Sequence, residues 1–215
     1  MKNYSLVLFD IDGTLVNTSS VVFESFNYIF KKYNQPEVSF DHFITFFGRH
    51  PKKVFQELKY DIPNPDKAAV EFFDYQLENG DRMQLYPHVF DTLQKLLLIG
   101  KKVGIYTNAN RKKTMTILEK VIKITPTNYC IIVTGDDVAN PKPHPEGLLK
   151  CASEMKTSLT DAIYVGDSIA DILAAQAAPM DSLLLTNGED KSYIQVKPTY
   201  TVKYLDGLFD ILPQD

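Results

Sequence analysis

The chain has 215 residues, 44% of them hydrophobic and 23% charged, a balance that suits a globular protein and excludes a disordered or fibrous one. Its formal net charge of -4 at pH 7 offers no positive field for a polyanion, so nucleic acid is not an expected partner. The apolar start from Tyr4 to Phe9 is too short for a secretory signal and no later stretch could span a bilayer, so a cytoplasmic location away from membranes is expected.

The first element is a strand, Leu6 to Phe9, which stops at Asp10. Ten of the thirteen phenylalanines then fall between Val16 and Met83, which predicts a small core of its own. Val22, Phe26, Ile29 and Tyr33 recur at helical spacing, as do Phe40, Phe43 and Phe47, and then Val70, Phe73 and Leu77. Asn34-Gln35-Pro36, Gly48, Pro51 and Pro63-Asn64-Pro65 mark turns between these runs. Residues 16–83 therefore read as an all-helical domain inserted after the first strand, with residues 1–15 and 84–215 forming the α/β core.

Within that core, helix and strand alternate. Val89, Leu93, Leu96 and Leu97 mark a helix, Val103 to Tyr106 a strand, Met115, Leu118 and Val121 a helix, and Ile131 to Val133 a strand. Leu148, Leu149, Ala152 and Met155 mark the next helix, followed by a strand at Ala162 to Val165, a helix at Ile169 to Ala178 and a strand at Leu183 to Leu185. The tail from Pro198 to Asp215 predicts one more short strand and a helix. This series predicts an α/β fold with a doubly wound, Rossmann-like parallel sheet, whose strand ends line one edge where ligands bind. Cys130 and Cys151 form no CxxC pair and read as buried thiols without a function.

Four polar motifs stand at those strand ends. Asp10 and Asp12 lie two residues apart in Phe9-Asp10-Ile11-Asp12-Gly13-Thr14, where their repulsion calls for a cation or a proton; alone, they also suit an Asx-type turn. Thr107 and Asn108 offer a hydroxyl and backbone N–H groups to an anion, and equally suit a helix cap. Lys142 sits in Asn140-Pro141-Lys142-Pro143-His144-Pro145, whose prolines stiffen the backbone on both sides of the amine. Asp167 and Asp171, in Gly166-Asp167-Ser168-Ile169-Ala170-Asp171, are one helical turn apart; capping by Asp167 would leave Asp171 unexplained. Together these residues offer a nucleophilic carboxylate, an adjacent acid/base carboxylate, oxygen ligands for a hard divalent cation, and a hydroxyl and an ammonium for phosphate.

In that order, the DxDGT run at Asp10 to Thr14, Thr107-Asn108, Lys142-Pro143 and the GDSxxD run at Gly166 to Asp171 resemble the haloacid dehalogenase superfamily, in its phosphoglycolate phosphatase-like branch. The resemblance covers essentially the whole chain and implies a phosphatase acting on a small-molecule phosphate ester. It implies that Asp10 is the nucleophile and becomes an aspartyl phosphate, and that Asp12 protonates the leaving alcohol and later activates water. It further implies Mg²⁺ held by Asp10, Asp167 and the Asp12 backbone carbonyl, with Lys142, Thr107 and Asn108 receiving the phosphoryl group. Asp171 is expected to orient Lys142 or a water, and the helical segment to cap the site.

Substrate choice is expected in that cap, with Arg49 after Gly48 as the candidate contact and Asn110 and Arg111 at the entrance; a surface turn with solvated bases is the alternative for Arg49. Mutases of the β-phosphoglucomutase type resemble one another in a histidine twelve residues past the nucleophile, where this chain has Val22. Asp12 argues against a dehalogenase and a phosphonoacetaldehyde hydrolase, and the inserted segment against a receiver-type signalling domain. Asn17 and Pro179 depart from the family pattern without touching the chemistry. The physiological substrate and the choice between monomer and homodimer are left open by these residues.

Overall fold

The computed structural model describes residues 2–123, 129 and 131–212; Cys130 and the end of the predicted tail helix lie outside them. Six parallel strands, β1 (Leu6–Phe9), β4 (Lys102–Tyr106), β5 (Ile131–Val133), β6 (Ala162–Gly166), β7 (Asp181–Leu185) and β8 (Tyr200–Val202), form one sheet in the order β5-β4-β1-β6-β7-β8. β1 is buried along its whole length and pairs with β4 on one side and β6 on the other, with Leu6 opposite both Lys102 and Ala162.

Strand periodicity sends alternate side chains to opposite faces. Val7 and Phe9 pack with Val103, Ile105, Leu93 and Ile117, whereas Leu6 and Leu8 pack with Tyr164, Leu148 and Ala174. The first face is thus covered by α5 (Val89–Leu98) and α6 (Arg111–Ile117), the second by α7 (Glu146–Glu154) and α8 (Ile169–Ala177). The chain runs outward from β1 through β4 to β5, then returns beside β1 at β6, so the order reverses around β1. That reversal is where doubly wound sheets open a crevice at their carboxyl ends.

Two short strands, β2 (Val16–Asn17) and β3 (Gln84–Leu85), pair antiparallel and bring together the two ends of the helical segment. Between them lie α1 (Ser19–Lys32), α2 (Phe40–Phe43), α3 (Pro51–Glu57) and α4 (Pro65–Glu78). Their shared cluster centres on Phe26, whose ring is 4.5 Å from that of Phe72 and 5.4 Å from that of Phe46. Ala109 of the α/β unit joins the same cluster.

The sequence expectations need correction at four points. Pro51 begins α3 instead of only marking a turn, because a proline at the first helical position gives up no hydrogen bond. α2 stops at Phe43, so Phe47 is in the following loop. Val70 is exposed, and the buried face of α4 is Ala68, Ala69, Phe72, Phe73 and Gln76. After β8 the described tail closes in a 3₁₀ segment, Leu205–Asp210, in place of an α-helix.

Candidate active site

Asp10, Thr107 and Asp167 directly follow the carboxyl ends of β1, β4 and β6, and Lys142 lies further along the loop after β5. After β1 the Asp10 N–H donates to Val165 O at 3.0 Å, which ties the first motif to β6. Gly13 follows with φ +79°, and a Cβ there would overlap the Asp167 carboxylate, so both the turn and the close approach require glycine. Thr14 Oγ1 donates to Asp167 Oδ1 at 3.1 Å and thereby links the first motif to the fourth.

Lys142 is the hub. It is buried, and its ammonium lies 3.0 Å from Asp10 Oδ2, 2.7 Å from Asp171 Oδ1 and 2.9 Å from the Tyr164 hydroxyl. The loop holding it is anchored by Asn108, whose Oδ1 accepts from the Lys142 N–H at 2.8 Å and whose Nδ2 donates to Lys142 O at 3.1 Å. The same Nδ2 donates to Gly48 O at 2.9 Å, so one side chain joins the second motif, the third and the loop of the helical segment. Thr107 Oγ1 accepts from the Ala109 N–H at 3.2 Å, which leaves its own proton available.

Asp171 is fully committed: Oδ1 accepts from Lys142, and Oδ2 accepts from Ser168 N–H at 3.0 Å and Ser168 Oγ at 2.6 Å in a capping box that starts α8. Asp10 Oδ1, by contrast, is buried with no hydrogen-bond partner.

Burial dominates the electrostatics. It pushes Asp10 upward against the pull of Lys142, and Asp171, Asp12 and Asp167 reinforce the rise. Burial raises Asp167 to about 6 in spite of Lys191, 3.1 Å from its Oδ2. For Asp171 burial is outweighed by Lys142 and the Ser168 hydrogen bonds, and its carboxyl is held low. Burial alone would lower Lys142, but Asp10 and Asp171 more than reverse this and keep it charged.

Asp10, Asp167 and Asp171 bring one carboxylate oxygen each within 4.8 Å of one another. An unpartnered oxygen on Asp10, two carboxyls raised by burial and an all-oxygen donor set fit a hard divalent cation.

Asp10, Asp12, Thr107 and Asn108 line a cavity of about 30 Å³ roofed by Val22, Phe47, Phe72 and Phe73. Lys113, from α6, reaches it as well and donates to both carboxylate oxygens of Asp12. Arg49 lines the cavity while paired with Glu57. Asn110 caps α6 by accepting from the Lys113 N–H at 2.9 Å and lines a neighbouring cavity, whereas Arg111 pairs with Asp137 at 2.7 Å, away from Asp10. Cys151 is buried under the sheet.

Sequence reasoning missed Lys113, Gln76, Tyr164 and Lys191. Lys113 stands four residues before the buried Ile117, and Gln76 four after the buried Phe72, so each is a polar residue on an apolar helix stripe. That was a readable signal. Lys191 lies in a loop with no such pattern.

A buried carboxylate, a lysine and a hydroxyl gathered at the switch point of a parallel sheet suit phosphoryl chemistry, and the comparisons with known proteins give the class. The chain belongs to the haloacid dehalogenase-like hydrolase family, whose model matches residues 7–185. It is 30% identical over 210 residues to the pyrophosphatase PpaX of Bacillus mycoides, covering 96% of this chain and 94% of that protein. A solved haloacid dehalogenase-like hydrolase of Bacteroides fragilis superposes with TM-score 0.86 at 25% identity, covering 96% of this chain and all, 100%, of that one. A protein described as a predicted phosphoglycolate phosphatase, from Haemophilus somnus, gives TM-score 0.80 at 25% identity over 98% of this chain and 99% of that one. The protein is therefore a phosphatase of this family. Among the described residues no helix is long and apolar enough to cross a membrane.

Proposed function

We propose that the protein is a Mg²⁺-dependent phosphatase of small-molecule phosphate monoesters that works through an aspartyl phosphate on Asp10. The observation that carries this reading is Asp10 itself: buried at the end of β1, with Oδ1 unpartnered and Oδ2 3.0 Å from Lys142. One carboxylate oxygen of Asp10 attacks phosphorus while the bond from phosphorus to the leaving oxygen breaks, and its other oxygen is left for the cation. Asp12 gives that oxygen its proton. Asp12 then takes a proton from water, which attacks phosphorus; the bond to Asp10 breaks, and inorganic phosphate leaves. Lys142 offsets the charge on the transferred group, and the Thr107 hydroxyl and Asn108 backbone N–H donate to its oxygens.

Mg²⁺ would be held by Asp10, Asp167 and the Asp12 backbone carbonyl, with Asp171 positioning Lys142, and would neutralise phosphoryl oxygens beside the nucleophile. Residues 16–83 are the proposed cap, carried on the core of residues 1–15 and 84–215. The cavity is too small for a phosphate ester, so this layer is proposed to move outward on β2 and β3 to admit one. Val22, where mutases of the β-phosphoglucomutase type carry histidine, presents only carbon to the cavity, which favours hydrolysis over mutase chemistry. A panel of phosphate esters assayed with Mg²⁺ and with EDTA tests the reading. Phosphate release in excess of enzyme, abolished by EDTA and by Asp10→Asn, is expected; release that survives Asp10→Asn would overturn it.

A further inference from the structure

The cavity over Asp10 is lined by a buried, unpartnered polar group that phosphoryl transfer does not use. Gln76, on α4, is fully buried and lines the cavity, and its Oε1 has no hydrogen-bond partner. The amide's orientation follows from its neighbours. Ser25 Oγ gives its single proton to Val22 O at 2.7 Å, so toward Gln76, 3.0 Å away, it can only accept. Nε2 must therefore face Ser25, and Oε1 is the end left over. Val22, Ser25 and Gln76 all belong to α1 and α4, so this arrangement travels with the helical layer if the layer shifts over the sheet.

A buried carbonyl oxygen without a donor costs free energy, and that cost is relieved when a ligand supplies the donor. The cations lining the same cavity are already committed, Lys113 to Asp12 and Arg49 to Glu57, and Lys142 beside it to Asp10 and Asp171. A leaving group ending in a second phosphate or a carboxylate would bring only acceptors to Gln76, and a charge that must recruit Arg49 away from Glu57. A hydroxyl brings the missing proton and no charge.

We infer that Gln76 Oε1 accepts a hydrogen bond from a hydroxyl of the leaving group, selecting phosphate esters of short hydroxylated alcohols over esters or anhydrides with a second anion. The inference rests on the phosphatase reading of Asp10. It is tested by kcat/KM for glycerol 3-phosphate, n-propyl phosphate, phosphoglycolate and pyrophosphate with the wild-type enzyme and Gln76→Met. The wild type is expected to prefer glycerol 3-phosphate over n-propyl phosphate by about 10–100-fold, and over both competitors that carry a second anionic group. Gln76→Met is expected to lower glycerol 3-phosphate turnover about tenfold more than n-propyl phosphate turnover, and so to narrow that ratio.

Equal wild-type rates on the matched pair, a preference for pyrophosphate or phosphoglycolate, or equal losses on both esters in the variant would each overturn the inference while leaving the phosphatase reading standing. No Asp10-dependent phosphate release from any of the four would overturn that reading and this inference with it. The wild-type comparison needs no variant, so it decides even where Gln76→Met folds poorly.

Discussion

Lys113 meets Asp12 side-on, its ammonium 2.7 Å from one carboxylate oxygen and 2.8 Å from the other. The lysine is buried and the aspartate half-buried, so the pair is shielded from solvent on one side and open to the cavity on the other. Asp12 is thus aimed by a residue from α6, 101 positions further along the chain, and not by its own turn alone.

Replacing Lys113 by methionine keeps the bulk and removes the charge that aims Asp12. We expect kcat to fall about 10–100-fold with a smaller change in KM, because an acid/base group is misdirected while phosphate contacts survive. Lys113→Arg should restore part of the loss. A rise in KM alone, measured by steady-state kinetics on one ester, would instead make Lys113 a binding group.

Asp171 and Lys142 give a stability prediction. Asp171→Ala removes the shorter of the two carboxylate contacts to a buried ammonium and also breaks the capping box of α8. Breaking a buried pair from one side costs about 3–5 kcal/mol, and urea unfolding should register a loss of that order. Asp171→Asn keeps one acceptor oxygen, for the ammonium or for Ser168 but not for both, and should lose less. Equal losses would mean that the charge, which both variants remove, accounts for the whole effect and the retained acceptor for none of it.

The sheet and the four motifs were legible because their signals are local. Asp10, Thr107 and Asp167 each end an apolar run, and Lys142 lies between two prolines. Three parts were not legible. β2 and β3 have two residues each, too few for a period of two to register. α3 hides behind Pro51, which in sequence looks like a stop. The pairs Lys113 with Asp12 and Lys191 with Asp167 join residues far apart in the chain, and no local pattern encodes which lysine reaches which aspartate.

Asp10→Asn separates chemistry from folding. Turnover should fall by about 10⁴-fold or more, since a nucleophile is lost. Stability should change in the other direction. Burial and neighbouring carboxylates raise Asp10, so the folded wild type is penalised as pH climbs from the ordinary carboxylate range toward 8, and asparagine escapes that penalty. The melting temperature of the variant, measured without divalent cation, should therefore exceed that of the wild type by a margin that widens from pH 5 to pH 8. Saturating Mg²⁺ should close the gap by stabilising the wild type more, about 2.7 kcal/mol at a hundred times Kd. A melting temperature unmoved by Mg²⁺ would argue against Asp10 as a ligand.

His50 supplies a pH dependence of opposite sign, away from the cluster. It caps α3, accepting from the Lys52 N–H at 3.3 Å, and lines a cavity of about 460 Å³ between the helical layer and the loops after β4 and β5. Burial, helped by Lys52, lowers its imidazole to about 4, while Asp136 and Asp66 pull weakly upward. Between that value and about 6.5 the unfolded chain binds the proton and the folded one does not. Stability tied to His50 is therefore complete above about pH 6.5 and is lost as pH falls toward 4. Asparagine also caps helices but does not titrate, so His50→Asn isolates the effect. The two proteins should unfold alike at pH 7.5, and by pH 4.5 the variant should be more stable by about 1–3 kcal/mol, a value set by the size of the shift at about 1.4 kcal/mol per unit. Urea midpoints for the pair across that range provide the measurement, and curves that stay parallel would remove His50 as the source.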